Sequence, residues 1–309
     1  MDCAASSLGP QRTSTGRAGK ERTRQALIIS VRLPRLCFGI GCDVTRLMNR
    51  VPTFGLSASS PSCSMVLPKM VETEDSSFWA DAEWSAALLA LIGHPLGGVH
   101  LPGAPGPVRD HWLERLTELS GQPRLRKIPA NIPEGRLLGG IDLGATLQHG
   151  KPIAETGLLG ECDGQIVVAA MAERLPRNTV HHLCSALDHG QIIVARDAVE
   201  ANVAARLTLV AQDEGTGDEW LHGALADRLG ITLDMTELGI HDVEDEHFTP
   251  RLVERARALL DDIHLTDAQM ATLTSLALSL GIDSPRAALA AIKVARGCGA
   301  GWRDNGCRA

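Results

Sequence analysis

The tightest constraint on this chain lies in residues 97–120, where a strand, a glycine-rich loop and a helix follow one another. Val99-His100-Leu101 reads as a short buried strand, preceded by the helix stops His94-Pro95 and Gly97-Gly98. A loop dense in Gly and Pro runs from Pro102 to Pro107. A helix follows from about Val108, with Trp112, Leu113, Leu116 and Leu119 inward. Gly and Pro break regular structure, whereas apolar residues three and four apart line one face of a helix. Strand, glycine loop and helix in that order form the opening unit of a nucleotide-binding α/β fold.

The flanking pattern agrees. A helix begins at Trp79, with Trp84, Leu88, Leu91 and Ile92 on one face. Residues 125–128, 166–169, 192–194, 207–210 and 231–235 read as strands, and residues 179–187 and 221–229 as helices. Such alternation predicts a mostly parallel sheet covered on both faces. After Met235 the pattern is helical only. Thr249-Pro250 places a cap before a proline, with Leu252, Ala256, Leu259 and Ile263 as the apolar stripe. Thr266 and Gln269 form a capping box, Gly281 closes that helix, and Ser284-Pro285 opens another with Leu289, Ile292 and Ala295 inward. The predicted organisation is a leader over 1–75, an α/β domain over 76–236, a helical lid over 237–296 and an irregular tail over 297–309.

Composition narrows the function classes. Aromatics make up 3% of the 309 residues and Tyr is absent, so base-stacking platforms of the RNA-binding kind are excluded. Net charge is -7, which argues against a general nucleic-acid or anionic-membrane binder. The charge is uneven: ten Lys/Arg face three Asp/Glu up to Met70, and 20 face 34 beyond it. The basic stretch carries Cys3, Cys37, Cys42 and Cys63 at spacings that match no zinc or disulfide pattern. It reads as an unstructured leader, or as upstream sequence before a true start at Met65 or Met70, in preference to a transit peptide. Between Trp79 and Arg296 the cysteines are Cys162 and Cys184, as expected in a reducing compartment. No apolar run approaches the roughly 20 residues that span a bilayer.

A working phosphate loop reads G-x-x-x-x-G-K-[ST]; its backbone amides cradle phosphates, Lys reaches the β and γ oxygens, and the hydroxyl binds Mg²⁺. Here the chain reads Gly103-Ala104-Pro105-Gly106-Pro107-Val108-Arg109-Asp110. Gly103 and Gly106 are in place. Val108 stands where a third glycine is usual and resists positive φ, and Pro107 lacks an amide donor. Arg109 replaces Lys with a different reach, and Asp110 replaces the hydroxyl with a negative charge. In a working site a buried strand ends in Asp-Glu, which positions Mg²⁺ and the attacking water. Here Ile166-Val167-Val168 runs into Ala169-Ala170.

Further landmarks follow in a fixed order: Gly97-Gly98-Val99, Leu137-Leu138-Gly139-Gly140-Ile141-Asp142-Leu143, Gly150-Lys151-Pro152, Gly157-Leu158-Leu159, Ala205-Arg206-Leu207 and Ala226-Asp227-Arg228-Leu229. Over residues 79–296 this order resembles the D and I subunits of magnesium chelatase, in the AAA+ class of P-loop NTPase-like proteins. The remnant Gly106-Pro107-Val108-Arg109-Asp110 and the empty strand end resemble the D subunit; the I subunit keeps both motifs intact. The resemblance implies an AAA+ sheet flanked by helices, with residues 137–159 as an inserted segment, and a small all-helical lid.

It also implies a role. Magnesium chelatase inserts Mg²⁺ into protoporphyrin IX with ATP in (bacterio)chlorophyll synthesis. The I subunit hydrolyses ATP, the H subunit holds the porphyrin, and D forms a ring complex with I. Arg228 matches the arginine-finger position, and Arg286, within Asp283-Ser284-Pro285-Arg286, matches the sensor-2 position. Gly103, Gly106 and Arg109 would be the degenerate phosphate contacts, with weak or no nucleotide binding by this chain. D subunits continue into an integrin-like domain with a metal site, and nothing of that order follows Arg296. The expected setting is bacterial cytoplasm, or plastid stroma for a plant-type protein.

Two rivals stay open from residues alone. An active I-type motor is opposed by Val108, Arg109, Asp110, Ala169 and Ala170; a ring scaffold in another metal-insertion or chaperone assembly is not. No metal site is expected. His181 and His182 are adjacent on a helix and point about 100° apart, so they do not converge with Cys184 and His189. The acidic run Asp242-Val243-Glu244-Asp245-Glu246-His247 reads as a solvated linker.

Overall fold

The computed structural model describes residues 78–301 except positions 142, 151–153, 197–198, 217, 244–246 and 283. The leader with its four cysteines, the tail from Trp302, Asp142, Lys151-Pro152, Glu244-Asp245-Glu246 and Asp283 therefore lie outside the described residues. Helix α1 (Phe78–Ile92) leads into β1 (Gly98–Pro102), and α2 (Pro107–Ser120) follows the loop. Next come β2 (Arg126–Ile128), α3 (Glu134–Leu138), β3 (Gly139–Ile141), α4 (Leu143–His149), β4 (Ala154–Thr156), α5 (Leu158–Glu161) and β5 (Ile166–Ala169). Then α6 (Arg177–His189), β6 (Gln191–Arg196), β7 (Val199–Ala204), β8 (Thr208–Asp213), α7 (Gly223–Ala226) and β9 (Ile231–Thr232) complete the α/β part. Helices α8 (Pro250–Leu259), α9 (Asp267–Ser279) and α10 (Pro285–Gly301) follow.

The expected class is observed: a parallel sheet flanked by helices, then a small all-helical part. Five strands lie in the order β2-β5-β8-β1-β9, with every neighbouring pair parallel. β5 and β8 are buried along their whole lengths, as strands covered on both faces must be. Successive side chains alternate between the faces and so feed two cores. Ile166, Val168 and Val210 join α1, α2 and the helical part; Val167, Ala169, Leu209 and Ala211 join α3, α5 and α6.

Several local expectations change. Residues 192–194 are not in the parallel sheet: β6 pairs antiparallel with β7, a strand the sequence pattern did not suggest. Ile192 and Val194 are buried while Ile193 is exposed, and that alternation belongs to a hairpin with one covered face. β3 and β4 form a second antiparallel pair inside residues 137–159. The helix expected over 221–229 is the single turn α7, and the strand expected over 231–235 shortens to β9. α1 is buried nearly all round instead of on one stripe, because α2, α8 and α10 enclose it. Leu259 and Leu289, expected inward, are exposed, while Val253, Ala256, Ala290, Ala291 and Val294 are buried. α10 continues through Gly297 to Gly301, and Ala300 reaches the core, where the sequence suggests a break. Among the described residues no helix is long and apolar enough to cross a membrane.

One ion pair joins α1, α2 and the entry to α8. Glu83 on α1 and Arg115 on α2 are fully buried and meet at 3.0 Å. Glu83 also accepts from the backbone amides of His247 and Phe248, at 3.1 and 3.3 Å, and Arg115 donates to the Phe248 carbonyl at 2.7 Å. Removing one partner of such a pair strands a buried charge and costs about 3–5 kcal/mol. Glu83→Ala is therefore expected to lower the unfolding free energy measured in urea by an amount in that range; an unchanged midpoint would remove the pair from this role.

Candidate functional site

The sequence-predicted residues fall at opposite ends of the sheet. At the carboxyl ends of the strands, where α/β folds bind ligands, β1 runs into the glycine loop. Gly103 has φ +125, and a side chain there would meet Thr236 Cγ2 at 2.7 Å, so glycine is required. Its amide donates to the Asp213 carbonyl at 2.9 Å, holding the loop to the end of β8. Gly106 is extended, and no atom would meet a side chain there within 4 Å, so the fold itself does not demand glycine at that position. Pro107 starts α2 directly, and Val108 takes helical geometry with its side chain in the core. Among the described non-glycine residues positive φ occurs at Met171 alone, so Val108 is unstrained.

Arg109 turns back into the loop. Its guanidinium donates to the Gly103 carbonyl at 3.3 Å and to Glu214, just past β8, at 2.9 Å. The side chain is 10% exposed, and among the described residues Nε is buried with no hydrogen-bond partner. Glu214 is held in turn, because its amide donates to Glu173 at 3.1 Å. Glu173 follows the Ala169-Ala170 end of β5 and Met171, whose φ of 50 is sparsely populated for a side-chain-bearing residue. The Glu173 side chain is fully buried, with Arg174 Nε 3.4 Å away. Asp110 lies exposed in the first turn of α2, where a negative charge suits the helix dipole.

A second polar link crosses the same end. His100 Nε2 on β1 lies 3.0 Å from Asp213 Oδ2, both residues being buried. Asp213 also accepts from the amides of Gly215 and Leu221, at 3.0 and 3.3 Å. Burial opposes ionisation of Asp213, but the bond from His100 and these amides hold its carboxyl below the usual value.

At the amino ends of the strands Arg228 and Arg286 come together. Arg228 follows α7 and Arg286 lies in the first turn of α10. Both contact Asp188 at the end of α6, at 2.5 Å and 3.2 Å respectively. They border a cleft of about 360 Å³ between the α/β and helical parts, also lined by His94, Leu276 and Lys293. Gly97, immediately before β1, must be glycine because a side chain would strike the Arg228 carbonyl at 2.0 Å. β1 has five residues and thus separates this cluster from Gly103 and Arg109 by roughly 17 Å of strand, at about 3.3 Å per residue.

The sequence pattern singled out Gly103, Gly106, Arg109, Arg228 and Arg286 but missed Glu173, Glu214, His100, Asp213 and Asp188. The only signal for Glu173, Glu214 and Asp213 was position, at or near strand ends. His181 is exposed and His182 lies 3.2 Å from Glu134. Among the described residues no group of three His, Cys, Asp or Glu side chains is placed to hold a metal ion. Burial pushes the thiols of Cys162 and Cys184 up, away from the reactive thiolate.

No family model matches the sequence. The chain is similar to the magnesium-chelatase 60 kDa subunits of Rhodobacter capsulatus, at 32% identity over 213 residues, and Cereibacter sphaeroides, at 34% over 221 residues. These matches cover 68% and 71% of this chain but 35% and 36% of the relatives, so the chain spans about a third of their length. It is also 22% identical over 240 residues to the magnesium-chelatase 38 kDa subunit of Cereibacter sphaeroides, covering 68% of this chain and 70% of that one.

Because the folded-state pKa of Asp213 is lowered, its contribution to stability is complete above the ordinary carboxylate value and disappears as pH falls through the folded one. Wild type should therefore lose more stability than Asp213→Asn between about pH 5 and pH 2. Unfolding curves measured across that range check this, and parallel losses would contradict it.

Proposed function

Since the chain belongs to the magnesium chelatase D-type family of AAA+ proteins, we propose that it acts as a non-hydrolysing platform subunit. It assembles into a ring with the ATPase I subunit and presents Arg228 and Arg286 to nucleotide bound by that neighbour. The observation that carries this reading is the separation of the two arginines from the chain's own phosphate loop by the height of the sheet. Side chains at the amino ends of parallel strands cannot serve a loop at the carboxyl ends of the same strands. In a ring they can face the loop of the next subunit. A guanidinium there stabilises the charge that develops on a transferring phosphoryl group.

The chain's own loop does not suit a magnesium nucleotide. Pro107 offers no amide, Asp110 puts a carboxylate where the Mg²⁺-holding hydroxyl belongs, and Ala169-Ala170 offers no carboxylate to the ion. Arg109, the group nearest in kind to the phosphate-binding Lys, is committed to Glu214 and to the Gly103 carbonyl. ATP and its Mg²⁺ therefore belong to the I subunit in this reading. The H subunit holds protoporphyrin IX, and the reaction served is insertion of Mg²⁺ into that ring in (bacterio)chlorophyll synthesis. The setting is a cytoplasmic bacterial assembly.

Mixing the purified chain with a matching I subunit and ATP, then sizing the complex and following ATP turnover, tests the proposal. The chain alone should release no phosphate and should co-elute with the I subunit. Arg228→Ala should keep the complex but lower turnover at the sites that face this chain about tenfold or more. Turnover by the chain alone, or failure to co-elute, would falsify the reading.

A further inference from the structure

We propose that Asp188 is a positioning residue, whose carboxylate holds Arg228 and Arg286 as one fixed fork for a phosphate group presented by a neighbouring subunit. The inference rests on the reading of those two arginines given above. Arg228 belongs to the α/β part and Arg286 to the helical part, so their relative placement is not set by one element. Asp188 binds both guanidiniums directly. Its Oδ2 accepts from Nε and Nη2 of Arg228, at 2.9 and 2.5 Å, and its Oδ1 accepts from Nη2 of Arg286 at 3.2 Å.

Each guanidinium is steadied once more. Arg228 Nη1 donates to the Ala224 carbonyl at 2.7 Å. Arg286 Nη1 donates to Asp227 Oδ2 at 3.2 Å, and Asp227 Oδ1 accepts from Ser284 at 2.6 Å. A guanidinium carries five N–H donors in a rigid plane. Among the described residues these bonds engage three donors of Arg228 and two of Arg286, which leaves two and three to meet an anion. A carboxylate that merely blocked the arginines would instead consume the donors that an anion needs.

Charge and access agree with this role. Burial works against ionisation of Asp188, but the two guanidiniums hold its carboxyl below the usual value, so it is charged at neutral pH. Asp188 and Asp227 balance the two arginines, which lets the fork persist before any ligand arrives. Lys293, which lines the same cleft and donates to the Pro95 carbonyl, adds one positive charge to that balance. The Asp188, Arg228 and Arg286 side chains are 25%, 17% and 47% exposed, so an incoming oxygen can reach the fork from outside.

The test measures kcat and KM for ATP in the complex of this chain with the I subunit, using Asp188→Asn, Asp188→Glu and Arg228→Ala. Misplacing a group that acts on the transition state lowers kcat and leaves substrate affinity alone, so Asp188→Asn should cost about tenfold in kcat at unchanged KM. Complex size should stay that of wild type, and Asp188→Glu, which keeps the charge, should recover most of the loss. Unchanged or raised kcat in Asp188→Asn overturns the proposal; raised kcat would make Asp188 a block on the arginines. A loss shared equally by Asp188→Glu and accompanied by a lower melting temperature also overturns it, leaving a structural role alone. If Arg228→Ala has no effect, the reading of the arginines fails; if only the Asp188 variants have none, the positioning role fails and that reading stands.

Discussion

Glu83 and Arg115 meet in a place with no water to screen them, and much of the remaining geometry hangs on that contact. A fully buried ion pair adds little net stability, because the desolvation of two charges roughly cancels their attraction. What it does here is fix geometry. Further lone pairs and protons find partners at set positions, among them the amides of His247 and Phe248 and the Phe248 carbonyl. The chain entering α8 is therefore pinned to α1 and α2 by backbone atoms. Because α2 begins at Pro107, the contact that seats the helical part also orients the helix that carries the phosphate loop at its start.

Parallel strands give the molecule a polarity that function then inherits. Every strand of the five-stranded sheet points the same way, so loops leaving the strands gather at one end and loops entering them gather at the other. The leaving end carries Gly103, Arg109, Asp213, Glu214 and Glu173. The entering end carries Gly97, Asp188 and Arg228, with Arg286 brought to it by α10. A subunit built this way cannot apply both groups to one ligand. In the proposed ring, its entering end can face a neighbour's leaving end.

How much of this was legible in the sequence varies with range. The strand, loop and helix around Gly103 could be read because Gly and Pro act on their own backbone, and β5 could be read because a two-face-covered strand is a plain apolar run. β7 was not, since its partner β6 decides its fate and the segment 199–204 has no period strong enough by itself. Leu289 was placed inward from spacing alone; in the fold α10 turns Ala290, Ala291 and Val294 to the core instead. At the site, Arg109, Arg228 and Arg286 were found by their place beside known motif positions. Their carboxylate partners were not, because Glu214 lies 105 residues from Arg109, and Asp188 lies 40 from Arg228 and 98 from Arg286. Nothing local in a sequence marks an acid that will meet a base at that distance.

The partners missed in this way explain how an altered phosphate loop can keep its shape. The start of a helix carries partial positive charge and unsatisfied amides, which in a working loop are met by phosphate. Here the negative charge is built in: Asp110 sits in the first turn of α2, while Glu214, itself held by Glu173, reaches the guanidinium of Arg109. The loop is thus closed on protein groups. In the proposed ring, the face that would change most between empty and loaded states of a motor subunit stays constant in this one. The arginine end of the next subunit in that ring therefore meets a fixed protein surface in place of a nucleotide.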